Sequence, residues 1–281
     1  MVALQTLRQF YAALMTASVG VTDPRVIKAF ATVPREQFLG PGPWQVVVEN
    51  GYMTTPSDDP ELLYQDIVVA LSPSRKINNG EPSLHARMLA AVAPQPGERA
   101  LQIGTGTGYY TALLAELVGE SGTVLGIEID PELADWTCRN LADRSNVTIG
   151  CRSGVEPPLP ESDVIYVCAG ATEPMRVWLE ALSPAGRLLF PLTPGTSYGA
   201  ILRIAPTSTP NLFEARFVTR AGFIPCVGAQ SPEALDGLKT AFARGGTEEV
   251  RSLHCGPEPD ATCWYAGEGW WLSKRPVASS R

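Results

Sequence analysis

Three glycines at alternate positions, Gly104, Gly106 and Gly108, stand between a short apolar run (Ala100, Leu101, Ile103) and a helix-forming segment, Tyr109 to Val118. Strand, tight turn and helix in that order lay bare backbone at the carboxyl edge of a parallel sheet, where a nucleotide-like ligand can rest. Glycine permits the backbone angles of such a turn and has no Cβ to hold a ligand away. A second strand-like run, Gly122-Thr123-Val124-Leu125-Gly126-Ile127, ends in Glu128, Ile129 and Asp130. Glu128 follows the loop at roughly the 20-residue spacing of a carboxylate that accepts hydrogen bonds from ribose hydroxyls. The chemistry on offer is the binding of a ribose-bearing cofactor.

The spacing narrows the choice. Dinucleotide sites use G-x-G-x-x-G so that a helix N-terminus can take a pyrophosphate. Here the pattern is G-x-G-x-G followed by bulky Tyr109-Tyr110. S-adenosylmethionine has no phosphate, and the pattern favours it over a nicotinamide dinucleotide. The fold itself would fit either.

The elements that must position this loop follow from periodicity. From Arg99 on, strands at 100–103, 123–128, 147–150, 163–168 and 187–192 alternate with helices at 109–118, 131–143 and 174–182. That alternation predicts right-handed crossovers and helices on both faces of a sheet. The expected class is α/β: a doubly wound, mostly parallel, seven-stranded Rossmann-like sheet, with Ala200–Ala205 and Phe213–Thr219 as an antiparallel edge. Before it, Leu4–Ser18 and Asp23–Val33 carry helical apolar spacing, and Asp23-Pro24 supplies an N-cap and first-turn proline. Pro34–Asp59 reads as loop, Leu62–Leu71 as extended, and Pro82–Ala93 as a helix with proline at its start. After residue 228 come a helix at 232–243 and runs at 249–254 and 263–272, the last holding Trp264, Tyr265, Trp270 and Trp271. The expected division is 1–98, a helical cap with the substrate loop; 99–228, the cofactor-binding core; and 229–281, an α+β extension.

Composition sets outer bounds. The 281 residues, 44% hydrophobic and 18% charged, describe an ordinary globular chain. A net charge of −7 without a basic stripe argues against nucleic acid as the main partner. No apolar run approaches the ~20 residues that span a bilayer. Met1–Gly20 reads as an amphipathic helix rather than a signal peptide, so no membrane partner and a cytoplasmic location are expected. The six cysteines form no C-x-x-C pair and are expected to be reduced. His254, Cys255 and Cys263 lack metal-site spacing, and no metal is expected.

With these motifs in place, the chain from about residue 5 to about residue 228 resembles the protein-L-isoaspartate O-methyltransferase family. Thr22-Asp23-Pro24-Arg25-Val26-Ile27-Lys28-Ala29-Phe30 with Val33-Pro34-Arg35-Glu36-Gln37-Phe38 is similar to that family's opening helix and "VPR…F" turn. Leu101 to Tyr109 resembles its cofactor loop, Ile127 to Leu133 its ribose-binding strand end, and Ser183 to Pro191 its "LKPGGRLVIPV" strand. The resemblance implies methyl transfer from S-adenosylmethionine to a carboxylate, typically the free α-carboxyl of an isoaspartyl residue in a protein or peptide. It implies that Gly104, Thr105, Gly106, Gly108, Gln102, Glu128, Ile129, Ser153 and Gly154 hold the cofactor. Glu128 would take the ribose hydroxyls, and Ile129 would pack on the adenine.

The departures from the family gather at the acceptor. Its substrate loop reads "T-I-S-x-P-x-x-x-A", whereas this chain has Asn78-Asn79-Gly80-Glu81-Pro82-Ser83-Leu84-His85-Ala86, with Gly80 in place of the serine. Asn78, Asn79 and His85 are the residues left to orient an acceptor. The readings as turn chemistry for the asparagines and as a helix-packing residue for His85 stay open. Gln102 stands where the family carries an acid, and Ser153-Gly154 replaces Asp-Gly. These changes favour an alternative in which the cofactor serves another acceptor, a small carboxylic acid or a modified peptide, or a reaction other than methylation. A cofactor-binding scaffold without activity is a further alternative, opposed by the intact glycines and Glu128.

Overall fold

A computed structural model describes residues 3–256 and 258–277 of the chain. The chain gathers into two compact units: residues up to Glu98 with Thr105–Arg152, and Arg99–Gly104 with the chain from Ser153 on.

The first unit opens with α1 (Leu4–Ser18) and α2 (Pro24–Thr32). The Asp23 side chain caps α2 by accepting from the Arg25 N–H, as the Asp-Pro pair predicts. The hairpin β1 (Gln45–Val48) and β2 (Gly51–Thr54) follows, then β3 (Ala70–Ser72), β4 (Ile77–Asn78) and α3 (Pro82–Val92). After α3 the chain lends β5 (Arg99–Ile103) to the second unit. It returns with α4 (Tyr109–Val118), β6 (Thr123–Glu128), α5 (Pro131–Asn140) and β7 (Val147–Cys151), where β6 and β7 pair in parallel. Helices α1, α2 and α3 pack on one another, and α2 packs on α4. Phe30 and Phe38 meet the Tyr109 ring at 6.2 and 5.6 Å.

Two expectations fail in this unit. The stretch read as loop before Asp59 holds the β1–β2 hairpin. The stretch 62–71 is extended only at its end, because Asp59 accepts from the Glu61 N–H and caps a 3-10 turn at Pro60–Leu63.

The second unit adds β8 (Ser162–Val167), α6 (Arg176–Glu180), β9 (Leu182–Leu192), β10 (Gly199–Pro206) and β11 (Leu212–Ala221). It ends in α7 (Ala234–Arg244), β12 (Ser252–Cys255), β13 (Cys263–Gly267) and β14 (Trp270–Ser273). Its sheet runs β13-β14-β12-β11-β10-β9-β8-β5. Pairings β5–β8 and β8–β9 are parallel; every pairing from β9 outward to β13 is antiparallel. The α/β class stands: residues 99–228 hold the expected seven strands, β5 to β11, with β10 and β11 as the antiparallel edge, and β12 to β14 of the extension lengthen that edge. Short turns join β9 to β10, β10 to β11 and β13 to β14, which sets those pairs antiparallel, while α7 lies between β11 and β12. The tryptophan-rich end is a hairpin of that sheet. Phe217 of β11, Phe242 of α7 and Trp264 of β13 form a triangle of edge-on rings 5.2 to 5.7 Å apart. Among the described residues, no helix is long and apolar enough to cross a membrane.

Candidate active site

In the first unit, β6 delivers Glu128 to the glycine loop. Its carboxylate accepts from the backbone N–H of Gly106 at 2.8 Å, of Ile129 at 2.9 Å and of Asp130 at 3.1 Å. Glu128 is only 6% exposed. Burial pushes its pKa up, and the bonds from Asp130, Gly106 and Ile129 hold it back. A carboxylate offers about four lone-pair positions, so three donors leave room for about one hydroxyl. Ile129 beside it is 47% exposed, an apolar surface standing in the open.

Helix α5 clamps the loop from the other side. Thr137 donates to the Gly106 carbonyl at 2.7 Å and lies 3.3 Å from the Thr105 hydroxyl, while Asn140 donates to the Thr107 carbonyl at 2.8 Å. Gly106 has φ +58°, and a Cβ built there would meet only Leu71 Cδ1, at 3.9 Å. Gly108 caps α4 at φ +94°, where a Cβ would stand 3.0 Å from Thr137 and Leu141. One glycine leaves an open face and the other permits close packing.

In the second unit, Gln102 is fully buried on β5. Its amide nitrogen donates to the Gly104 carbonyl at 3.3 Å and to Cys168 Sγ at 3.5 Å. Its Oε1 has no partner among the described residues. A side chain at Gly154 would meet Ile103 Cγ2 at 2.4 Å, and the Gly154 carbonyl accepts from the Trp178 indole at 2.8 Å. The Ser153 hydroxyl accepts from the Val155 N–H at 3.3 Å and so serves its own turn.

The acceptor loop, again in the first unit, is held by a buried cation. Arg35 is fully buried and donates to the carbonyls of Leu63, Gln65 and Ile67 at 2.8, 3.1 and 2.5 Å. It also reaches Asn79 Oδ1 at 3.4 Å. That oxygen accepts from the Val69 N–H at 2.9 Å, and the Asn79 N–H donates to the Val69 carbonyl at 3.0 Å. Asn78 Oδ1 accepts from the Gly80 N–H at 2.9 Å, an Asx turn. Asp66 then accepts from the Ser83 N–H at 2.9 Å, capping α3 from outside the helix.

Gly80 has φ +74°, and a Cβ there would lie 2.5 Å from His85 Nε2. His85 is 2% exposed and stacks on Tyr110 at 3.4 Å with an 8° tilt. Burial, helped by the Arg35 charge, pushes its pKa down to about 3, so the imidazole is neutral. Glu81 is exposed, and its pKa is raised by partial burial and then by Asp66.

A model of the Protein-L-isoaspartate(D-aspartate) O-methyltransferase family matches residues 12–231. The chain belongs to this family. A protein-L-isoaspartate O-methyltransferase from Aeropyrum pernix is 32% identical over 213 residues, covering 74% of this chain and 74% of that protein. A solved protein-L-isoaspartate O-methyltransferase superposes with a TM-score of 0.64 at 26% identity, over 84% of this chain and 69% of that one. A Plasmodium falciparum β-aspartate methyltransferase structure in complex with S-adenosyl-L-homocysteine shares the fold, with a TM-score of 0.63 at 18% identity over 78% and 97%.

The sequence puts Gly104, Gly106, Gln102 and Glu128 in one cofactor-binding core; in the structure the Gly106 N–H donates to Glu128, and Gln102 donates to the Gly104 carbonyl. It misses the parts that hold them. Thr137 and Asn140 carry no motif. Arg35 lies inside the quoted "VPR" phrase, but its neighbours Glu36 and Gln37 are polar and give no signal of a buried hub.

Proposed function

We propose that this protein transfers the methyl group of S-adenosylmethionine to a carboxylate, as a methyltransferase of the protein-L-isoaspartate type acting on a protein or peptide. The observation that carries this reading is the Glu128 carboxylate tied to the bare backbone of Gly106, with an acceptor position left over. The residues fit the cofactor: Gly106 offers an open face, and Gln102 keeps a buried acceptor without a partner among the described residues. When bound, S-adenosylmethionine supplies an electrophilic methyl group on a sulfonium. Glu128 would accept from ribose hydroxyls, Ile129 would cover the adenine, and Gln102, Gly104, Thr105, Gly106, Gly108, Ser153 and Gly154 would complete the binding surface. A carboxylate is already a nucleophile at neutral pH, so the protein's contribution is alignment.

Asn78, whose Nδ2 has no internal hydrogen bond among the described residues, is the acceptor-facing residue in this reading, while Asn79 and His85 fix the loop. Residues 1–98 supply the cap and acceptor loop, 99–228 the cofactor core, and 229–281 the extension. The cytoplasm remains the expected compartment. A second reading, transfer to another carboxylate such as a small acid or a modified peptide, is favoured by one observation. His85 occupies the place that a side chain at Gly80 would need, so no hydroxyl can stand there.

Labelled S-adenosylmethionine with an isoaspartyl peptide should give a base-labile methyl ester, and Glu128→Ala should weaken cofactor binding by about 1–3 kcal/mol in calorimetry. Cofactor binding without ester selects the second reading. No binding at all overturns both.

A further inference from the structure

The antiparallel part of the second unit's sheet carries an arrangement that the proposed reaction does not use. Arg203 on β10 and Arg216 on β11 are direct cross-strand partners. Such partners point to the same face, and like charges set opposite one another repel. Arg203 is half-buried, and its Nε is buried without an acceptor among the described residues. Arg216 is exposed and makes no ion pair among the described residues. Arg187 lies on the same face, because Arg203 pairs with Leu189 and Arg187 sits two residues before it on β9. Its Nη1 donates to the Asp163 carbonyl at 3.3 Å. Burial, then Arg216, then Arg187 lower the pKa of Arg203, while Glu214 works the other way. Glu214 is nonetheless in no ion pair among the described residues. An acidic chain of net charge −7 thus keeps two guanidinium groups side by side, with Glu214 near them but in no ion pair with either among the described residues.

We infer that Arg203, Arg216 and Arg187 form an anion-binding surface for an acidic, extended segment of a protein partner. The chemistry fits a chain of carboxylates. Guanidinium forks take carboxylates in paired hydrogen bonds. Neighbouring strands hold Arg203 and Arg216 ~5 Å apart, and acids at alternate positions of an extended chain lie ~7 Å apart, a gap that arginine side chains bridge. Nucleic acid fits less well: Leu189, Pro191, Ile201 and Tyr166 on this face are buried, and the accessible neighbours Ala205 and Glu214 offer no aromatic ring on which a base could stack.

The test uses the full chain without cofactor, so its outcome is independent of methyl transfer. A fluorescein-labelled hexaglutamate peptide should bind the wild type in anisotropy titrations, more weakly as salt rises. The Arg203→Gln/Arg216→Gln pair should lose at least tenfold in affinity. Arg216→Glu gives Arg203 a partner, so it should abolish peptide binding while melting no lower than the wild type. A loss of binding there cannot be loss of fold. Equal binding by wild type and variants overturns the inference. So does binding of oligothymidylate or phosphatidylserine vesicles with none of hexaglutamate.

Discussion

At the scale of single residues, the site is governed by groups that burial makes costly. His85 is the clearest case. Its folded pKa of about 3 lies below the ~6.5 of an exposed imidazole, so between these values the unfolded chain binds the extra proton. Stability therefore rises with pH across that window and falls as pH drops through it, by up to ~1.4 kcal/mol per pH unit. His85→Asn removes the titrating ring. Denaturation midpoints measured between pH 6.5 and 4 should fall less steeply for the variant than for the wild type, and parallel curves would show that another group sets acid sensitivity. Arg35 shows why part of the site was not legible. An arginine is normally read as surface charge, and here its partners are carbonyls, which no residue type announces. The glycines and Glu128 were legible because their constraint is written in residue identity.

At the scale of elements, the acceptor loop and α3 are one device. The loop turns at Gly80 because α3 raises His85 into the space beside it, and Tyr110 of α4 closes the far side. Gly80→Ser adds a left-handed backbone penalty to a clash, and should cost about 2–5 kcal/mol in chemical denaturation. Adding His85→Ala should make the pair less destabilising than the sum of the two single changes, since the clash is shared. Strict additivity would mean that the two do not touch. The same scale explains which elements were readable. The strand–helix alternation from Arg99 onward has clean periods, and the helices start at recognisable caps such as Asp130, which accepts from Glu132 and Leu133. The β1–β2 hairpin was hidden by Pro41, Pro43, Gly51 and Pro56, and by strand faces that are mostly exposed and so show little apolar alternation.

At the scale of the molecule, the segment beyond the family match completes a sheet. Strand β12 pairs with β11, and Trp264 is 2% exposed against Phe217 and Phe242. A chain ending at Gln230 would bare the β11 edge and Phe217. Each large apolar side chain left unburied costs roughly 1.5–3 kcal/mol, so losing this cluster removes a large share of a typical 5–15 kcal/mol total. The truncated protein should melt well below the full chain and aggregate through the open edge. An unchanged melting temperature would show the extension to be a separate appendage. The sequence foretold a helix and strands in this region but not where they attach, because pairing partners leave no local mark.

Strand β5 is lent by a chain that comes from the first unit and returns to it after Gly104. Its partner β8 spans Ser162–Val167. On the ribosome, β5 is therefore made long before its partner β8, and the second unit cannot close until that later stretch has emerged.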